Sequence, residues 1–351
     1  MDDCPLVPDT LNDYEAFIID KYLRPVRLLT MHFELTDRCN LSCIHCLFPK
    51  GDHDTGGQLT TTEVFDILLQ LRGAGVFYLG LSGGEIFTRS DIDEILDFLC
   101  RNRFLLQIYT NGTLLDKHRV KLIAALDPLS VDISVYGSTP DVHDAITSVP
   151  GSFGKTLEGI QALCSVGAKV IFKGFLLKDN FHQRWEMVDM ANSMGAPYSF
   201  DFNLMPQVDG DTGNLATRIT MEQMRLLYQE VHTEGRILRN NVNIRADGSQ
   251  LPLGGRVICN SALSTGCVSP RGEVFPCPVL RLPMGSLRQE TLQEIWKTHE
   301  VDALRYMRVD DLKTCRECSA LEHCNRCPGM AYLETGDYLG PAPLAVCSKF
   351  K

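Results

Sequence analysis

Residues 39–46 read Cys39-Asn40-Leu41-Ser42-Cys43-Ile44-His45-Cys46, three thiols at C-x3-C-x2-C spacing within one short loop. A structural zinc site takes four protein ligands, whereas a four-iron cluster held by three thiolates keeps one iron open to a substrate or cofactor. The triplet therefore points to an iron–sulfur centre with an open position, and so to chemistry. The competing reading makes His45 the fourth ligand of a zinc ion. A second field lies towards the C-terminus: Cys259, Cys267 and Cys277, then Cys315-x2-Cys318-x5-Cys324-x2-Cys327, then Cys347. Eight thiols are what two fully ligated four-iron clusters need, and two-residue spacings let neighbouring thiolates reach one cubane. Zinc ribbons are the alternative for such C-x2-C pairs.

Three of the fourteen cysteines lie outside both fields. Cys164 shares a helical face with Leu157 and Ile160, and Cys100 follows Leu99, so both read as packing residues; about Cys4 the sequence says nothing. The chain starts MDDCPLVPDT, with neither a basic n-region nor an apolar h-region, and holds no apolar run of bilayer length. A cytoplasmic protein without a membrane partner is expected, in which clustered cysteines mean metal rather than disulfides. The net charge of −10, with no Lys/Arg block, argues against nucleic acid or an anionic membrane as the main partner.

The elements that must position these thiols follow from periodicity. Short β-branched or aromatic runs near His32–Thr36, Val76–Ser82, Leu105–Thr110, Leu129–Tyr136, Val170–Leu177 and Ser199–Leu204 read as six strands. Between them lie helical faces such as Val64, Ile67, Leu68, Leu71 and Ile92, Ile95, Leu96, Leu99. Thr60 with Glu63 has capping-box spacing, Ser90 precedes acidic residues at a helix start, and Thr220–Val231 reads as a closing helix. Alternating βα units predict an α/β fold, a partial (β/α)6 TIM-like barrel with its chemistry at the C-terminal ends of the strands. A C-terminal cysteine-rich iron–sulfur domain follows. The expected division is a short N-terminal segment 1–30, a barrel 31–232, a Gly-rich connection 233–258 and the cysteine-rich domain 259–351.

The predicted strand ends carry polar and glycine motifs. Leu81-Ser82-Gly83-Gly84-Glu85 follows the second strand, Thr110-Asn111-Gly112 ends the third, Ser134 and Tyr136 end the fourth, and Asn180 follows the fifth. Taken singly, each also reads as a turn or a cap. Taken together with the cysteine loop, they resemble radical S-adenosylmethionine (SAM) enzymes. The C-terminal order C-x12-G-x4-C, then C-x2-C-x5-C, then a final cysteine resembles the SPASM extension of that family.

The resemblance implies that Cys39, Cys43 and Cys46 hold the catalytic cluster, whose open iron binds the methionine part of SAM. It implies that Gly83, Gly84 and Glu85 bind the methionine ammonium, and that Asn111 and Ser134 contact the carboxylate and ribose. The stretch from His143 to Phe153 resembles a family segment reading Asp-x-x-Arg-Gly, but Thr147 stands at the arginine position, so that role is not carried over. Cys259, Cys267, Cys277 and Cys327 are implied for a first auxiliary cluster, and Cys315, Cys318, Cys324 and Cys347 for a second. Only Asn325 and Arg326 precede Cys327, where the family commonly has three residues. Three [4Fe-4S] clusters, SAM and an external one-electron donor such as flavodoxin or ferredoxin are thus expected. The implied reaction is reductive cleavage of SAM to a 5′-deoxyadenosyl radical that takes a substrate hydrogen.

Fold and cofactor do not name a substrate. Ile133–Ser138 and Val149–Phe153 are similar to peptide maturases of this group, which implies a ribosomally made peptide receiving a thioether or carbon–carbon crosslink or another oxidation. About thirty residues precede the first strand, too few for the winged-helix leader-binding domain of many such maturases. That favours the alternative of a small-molecule substrate in cofactor, sugar, nucleoside or antibiotic biosynthesis. A non-catalytic scaffold is the third reading, and it predicts zinc.

Overall fold

The computed structural model describes residues 28–49, 56–239, 258–319, 321, 324 and 326–342. Strands β1 (Thr30–Thr36), β2 (Tyr78–Gly83), β3 (Leu105–Thr110), β4 (Ser130–Ser134), β5 (Val170–Phe175) and β6 (Tyr198–Asp201) pair in sequence order, each parallel to the next. The crossovers are helices α1 (Thr61–Gly73), α2 (Ile92–Asn102), α3 (Lys117–Leu126), α4 (Pro140–Thr147), α5 (Ser152–Ser165) and α6 (Arg184–Ser193); α7 (Met221–Thr233) follows β6. The six expected strands are all present. β6 ends sooner than its apolar run because the Asp201 carboxylate accepts the N–H groups of Phe202 and Asn203 and turns the chain.

Alternation along each strand sorts the side chains. Met31, Phe33 and Leu35 of β1 are buried in one core with Val64, Ile67, Leu68 and Leu71 of α1 and Ile92, Ile95, Leu96 and Leu99 of α2. The intervening positions are polar. On that second face Asp132 accepts from Gln107 Nε2 at 2.9 Å and Lys173 Nζ at 3.1 Å, and Lys173 lies 4.6 Å from the centre of the Tyr109 ring. A helix-covered outer face and a polar inner face are what a barrel wall needs to direct its chemistry inward.

The cysteine-rich region extends the same sheet. β7 (Thr265–Val268) runs parallel to β1, and β8 (Glu273–Phe275) and β9 (Gly285–Ser286) add antiparallel, giving nine strands in the order β6-β5-β4-β3-β2-β1-β7-β8-β9. Helices α8 (Leu292–Ile295), α9 (His299–Arg305) and α10 (Pro328–Thr335) follow. Leu292, Ile295 and Trp296 pack into the core shared with the barrel, so the expected second domain is built onto the first. Of the expected connection, residues 240–257 lie outside the described residues, as do residues 1–27 and Cys347.

Local expectations fared unevenly. Thr60 forms the capping box with Glu63, and acidic residues do stand at the start of α2: Asp91 occupies its N-cap, its carboxylate bound by Arg89 and Thr61, and Asp93 and Glu94 lie in the first turn. Cys164 packs against the main core as expected. Cys100 is exposed, because it falls on the outer face of α2, one residue past Leu99.

Candidate active site

The three-cysteine loop leaves β1 at its C-terminal end and is held from two sides. On one side the last carbonyls of α4, which have no partner within the helix, accept from the loop: Ile146 O from Ile44 N at 2.9 Å and Thr147 O from Ser42 N at 3.0 Å. Thr147 is fully buried, its hydroxyl 2.7 Å from that of Ser152, so at the family's arginine position this chain has a packed residue that does not line the cavity. Asp144 fixes the corner between α4 and α5 by accepting from Gly151 N and Phe153 N at 2.6 and 2.8 Å.

On the other side the loop rests on the Gly-Gly-Glu turn. Gly84 N and Glu85 N donate to Thr36 O and Arg38 O at 2.7 and 2.8 Å. A Cβ on Gly83, whose φ is +143°, would lie 2.1 Å from Thr36 O, and one on Gly84 would lie 2.3 Å from Arg38 O. The close approach that demands glycine is thus made by the cysteine loop's own backbone. Glu85 turns inward. Its buried carboxylate accepts from Thr110 Oγ1 at 2.9 Å, Asn111 N at 2.7 Å and Phe87 N at 3.2 Å, and it does not line the cavity. Burial raises its pKa, with those donors opposing. Glu85 therefore positions Asn111, whose side chain donates to Asn40 Oδ1 at 2.9 Å and so ties β3 to the cysteine loop.

These elements enclose a cavity of about 310 Å³. Cys39, Cys43, Cys46, Gly83, Gly84, Asn111 and Ser134 all line it, with Tyr109, Thr110, Phe48 and Asp37. Its apolar wall is His45 against Tyr136, ring centres 4.5 Å apart, and against Phe175 at 5.7 Å. Asn180 holds that wall by donating to Tyr136 O and Phe175 O at 3.0 and 2.9 Å, which gives this residue a positioning role. Burial and the charges of Cys43, Cys46 and Cys39 keep the Tyr136 phenol protonated, opposed by its bond to Ser134.

Among the C-terminal thiols, Cys259 Sγ lies 3.0 Å from Ser261 Oγ, and the same Ser261 side chain bonds Cys277. Burial raises the pKa of Cys267, Cys277 and Cys327, and beyond burial Cys277 acts on Cys267, Cys259 on Cys277, and Cys277 with Cys259 on Cys327. Cys324 and Cys327 pack with Met330 and Met205 against Leu47 of the catalytic loop. Cys315 and Cys318 share one turn, Cys318 N donating to Cys315 O at 3.1 Å.

Comparison with known proteins decides the family. The model of the radical SAM superfamily matches residues 33–191, and that of the SPASM iron–sulfur cluster-binding domain matches residues 259–328. The chain belongs to the radical SAM superfamily. This radical SAM/SPASM enzyme is 29% identical to the AdoMet-dependent heme synthase of Methanosarcina barkeri over 90% of the chain and 95% of that relative. It is 28% identical to the mycofactocin maturase MftC of Mycobacterium tuberculosis over 86% of the chain and 77% of the relative. It shares a fold with Streptococcus suis SuiB bound to precursor peptide SuiA, at a TM-score of 0.67 and 16% identity over 98% of the chain and 84% of SuiB.

The residues present fit the iron–sulfur cluster and SAM that the family implies. Among the described residues no three His, Cys, Asp or Glu side chains converge on a single ion; a cubane instead takes its thiolates at separate corners. Asp37 lines the cavity with Oδ1 buried and without a hydrogen-bond partner among the described residues, while its Oδ2 pairs with Arg271 Nη1 at 2.7 Å, so one of its two oxygens is left to accept from a cationic or N–H group. Of the wall, sequence reasoning singled out His45 only as a metal ligand and did not single out Asp37, Phe48 or Phe175. The signal for Asp37 was its place two residues before Cys39, at a strand end. Among the described residues no helix is long and apolar enough to cross a membrane.

Proposed function

We propose that this radical SAM/SPASM enzyme modifies a ribosomally made peptide by abstracting a side-chain hydrogen, with three [4Fe-4S] clusters per chain. The observation that carries the catalytic assignment is the single cavity onto which Cys39, Cys43 and Cys46 converge with Gly83, Gly84, Asn111 and Ser134. When bound, the cluster and SAM supply one-electron cleavage of a sulfonium C–S bond and a carbon radical that takes hydrogen from the substrate. Cys39, Cys43 and Cys46 hold the cluster. Asp37 and the backbone of the Gly83–Glu85 turn receive the cofactor's ammonium, while Asn111 and Ser134 orient its carboxylate and ribose. Glu85 acts through Asn111. Tyr136, Phe175, Leu47 and Phe48 exclude water, which protects reactive species from side reactions.

Cys259, Cys267, Cys277 and Cys327 hold one auxiliary cluster, and Cys315, Cys318, Cys324 and Cys347 the other. Four thiolates on each leave no open auxiliary iron, which favours electron transfer over direct substrate binding. An external donor of the flavodoxin or ferredoxin type supplies the electron.

The likenesses to the mycofactocin maturase and to SuiB with its precursor peptide support the peptide reading. The second reading, a small molecule, is favoured by the heme synthase, which the match spans almost end to end. Anaerobic reconstitution tests the cluster count: about twelve iron and twelve sulfide per chain are expected. Replacing Cys39, Cys43 and Cys46 together by Ala leaves about eight and abolishes 5′-deoxyadenosine release with dithionite and SAM. About four in the wild type sinks the auxiliary assignment, and zinc in place of iron sinks the enzyme reading. Substrate-dependent 5′-deoxyadenosine formation with tetrapyrroles, and not with peptides encoded beside this gene, replaces the first reading by the second.

A further inference from the structure

Glu34 and Arg281 lie 247 positions apart in sequence and meet in a buried pair between β1 and the loop that follows β8. Arg281 Nη1 donates to Glu34 Oε2 at 3.0 Å and Nη2 donates to Oε1, a two-pronged contact. The rings of Phe48 and Phe275 flank the guanidinium at 5.5 and 5.1 Å. The abstraction chemistry makes no use of this pair. As a mere bridge between β1 and the cysteine-rich region it is a poor choice, since well-packed apolar residues hold such contacts at equal or better stability.

What singles the pair out is its neighbour. Cys267 of β7 lies in register with His32, two residues before Glu34 on β1. Strand alternation puts Glu34 on the same face of the sheet as His32 and its neighbour Cys267. The Arg281 guanidinium lies over Phe275, the residue opposite Cys267 on β8, and the N–H of Leu280, one residue before Arg281, donates to Cys277 Sγ at 3.2 Å. The pair thus stands beside two thiols of the first auxiliary set.

We propose that the Glu34–Arg281 pair sets the reduction potential of the first auxiliary cluster. This rests on assigning Cys259, Cys267, Cys277 and Cys327 to one cluster. Reduction adds one electron from an external donor, with no bond made or broken and no proton taken up. In a buried site of low dielectric the added negative charge is opposed by Glu34 and favoured by Arg281. The two side chains therefore pull the potential in opposite directions, and together they hold it at an intermediate value.

The test uses the full chain with Cys39, Cys43 and Cys46 replaced by Ala, reconstituted and titrated with dithionite while EPR follows the two auxiliary signals. Glu34→Gln raises the potential of one signal and Arg281→Gln lowers it, each by tenfold or more in the reduction equilibrium, about 59 mV for one electron. The double variant returns towards the parent, and Arg281→Lys, which keeps the charge, stays near it. The Lys variant keeps the question open to test if Arg281→Gln does not fold. Shifts of both single variants in the same direction, no shift, or a shift by Arg281→Lys equal to that of Arg281→Gln overturn the proposal. Iron well below about eight per chain in the parent overturns the cluster assignment and this proposal with it; full iron with unmoved potentials overturns this proposal alone.

Discussion

The imidazole of His143 is buried, and its Nδ1 accepts the backbone N–H of Tyr136 at 3.2 Å, so a neutral ring holds the residue that walls the cavity. Burial lowers its pKa from 6.5 to about 4, with the charge of Asp144 opposing. Between those values the unfolded chain binds a proton that the folded chain refuses. Stability therefore rises with pH across this window and is lost as pH falls from 6.5 towards 4, by up to about 1.4 kcal/mol per pH unit. Protonation also converts Nδ1 from acceptor to donor against the Tyr136 N–H. Urea unfolding at pH 7, 6 and 5 is expected to show a steeper acid loss in the wild type than in His143→Gln. Parallel curves for the two proteins would remove His143 from this account.

At the scale of elements, the cysteine loop and the Gly-Gly-Glu turn are one unit, because each supplies the other's backbone partners. Gly84→Ala places a methyl 2.3 Å from Arg38 O, and backbone cannot swing aside as a flexible side chain does. The loop must lift from β2. Iron is expected to fall by about four per chain, with the auxiliary signals retained, and stability to fall by about 1–3 kcal/mol. Full iron content and unchanged SAM-dependent EPR in this variant would contradict that coupling. This unit was legible in sequence because cysteine spacing and paired glycines are narrow chemical signals placed just after strand patterns. The inward turn of Glu85 was not, since an exposed and a buried carboxylate look alike until Thr110 and Asn111 are brought beside it. The early end of β6 was hidden by the apolar residues that continue past Asp201, and Cys100 by a helix phase one residue from where adjacency to Leu99 suggested.

Over the whole molecule, the main core runs past the boundary expected before residue 259, taking in Val268, Val274, Leu292, Ile295 and Trp296, beside a smaller cluster of Ala262, Leu280, Val301, Leu304 and Met307. The four-residue strand β7 was too short to announce itself in sequence, yet it covers one edge of β1 and carries the sheet into the cysteine-rich region. Among the described residues, Glu34 finds its counter-charge in that region. Removing one partner of a buried pair costs roughly 3–5 kcal/mol, a large part of the roughly 5–15 kcal/mol by which domains are stable. Truncation after residue 258 also exposes the edge of β1, an invitation to pair with other chains. The truncated chain is expected to aggregate or to lose its cooperative unfolding transition, and adding Glu34→Gln, which deletes the orphaned charge, is expected to recover part of its soluble yield. A truncated chain that stays monomeric, unfolds at the urea midpoint of the full protein and takes up about four iron would show that the barrel stands alone. The full chain is instead expected to unfold in a single transition, since β7 and the segment Leu292–Trp296 complete the core of the barrel and Arg281 balances the Glu34 charge.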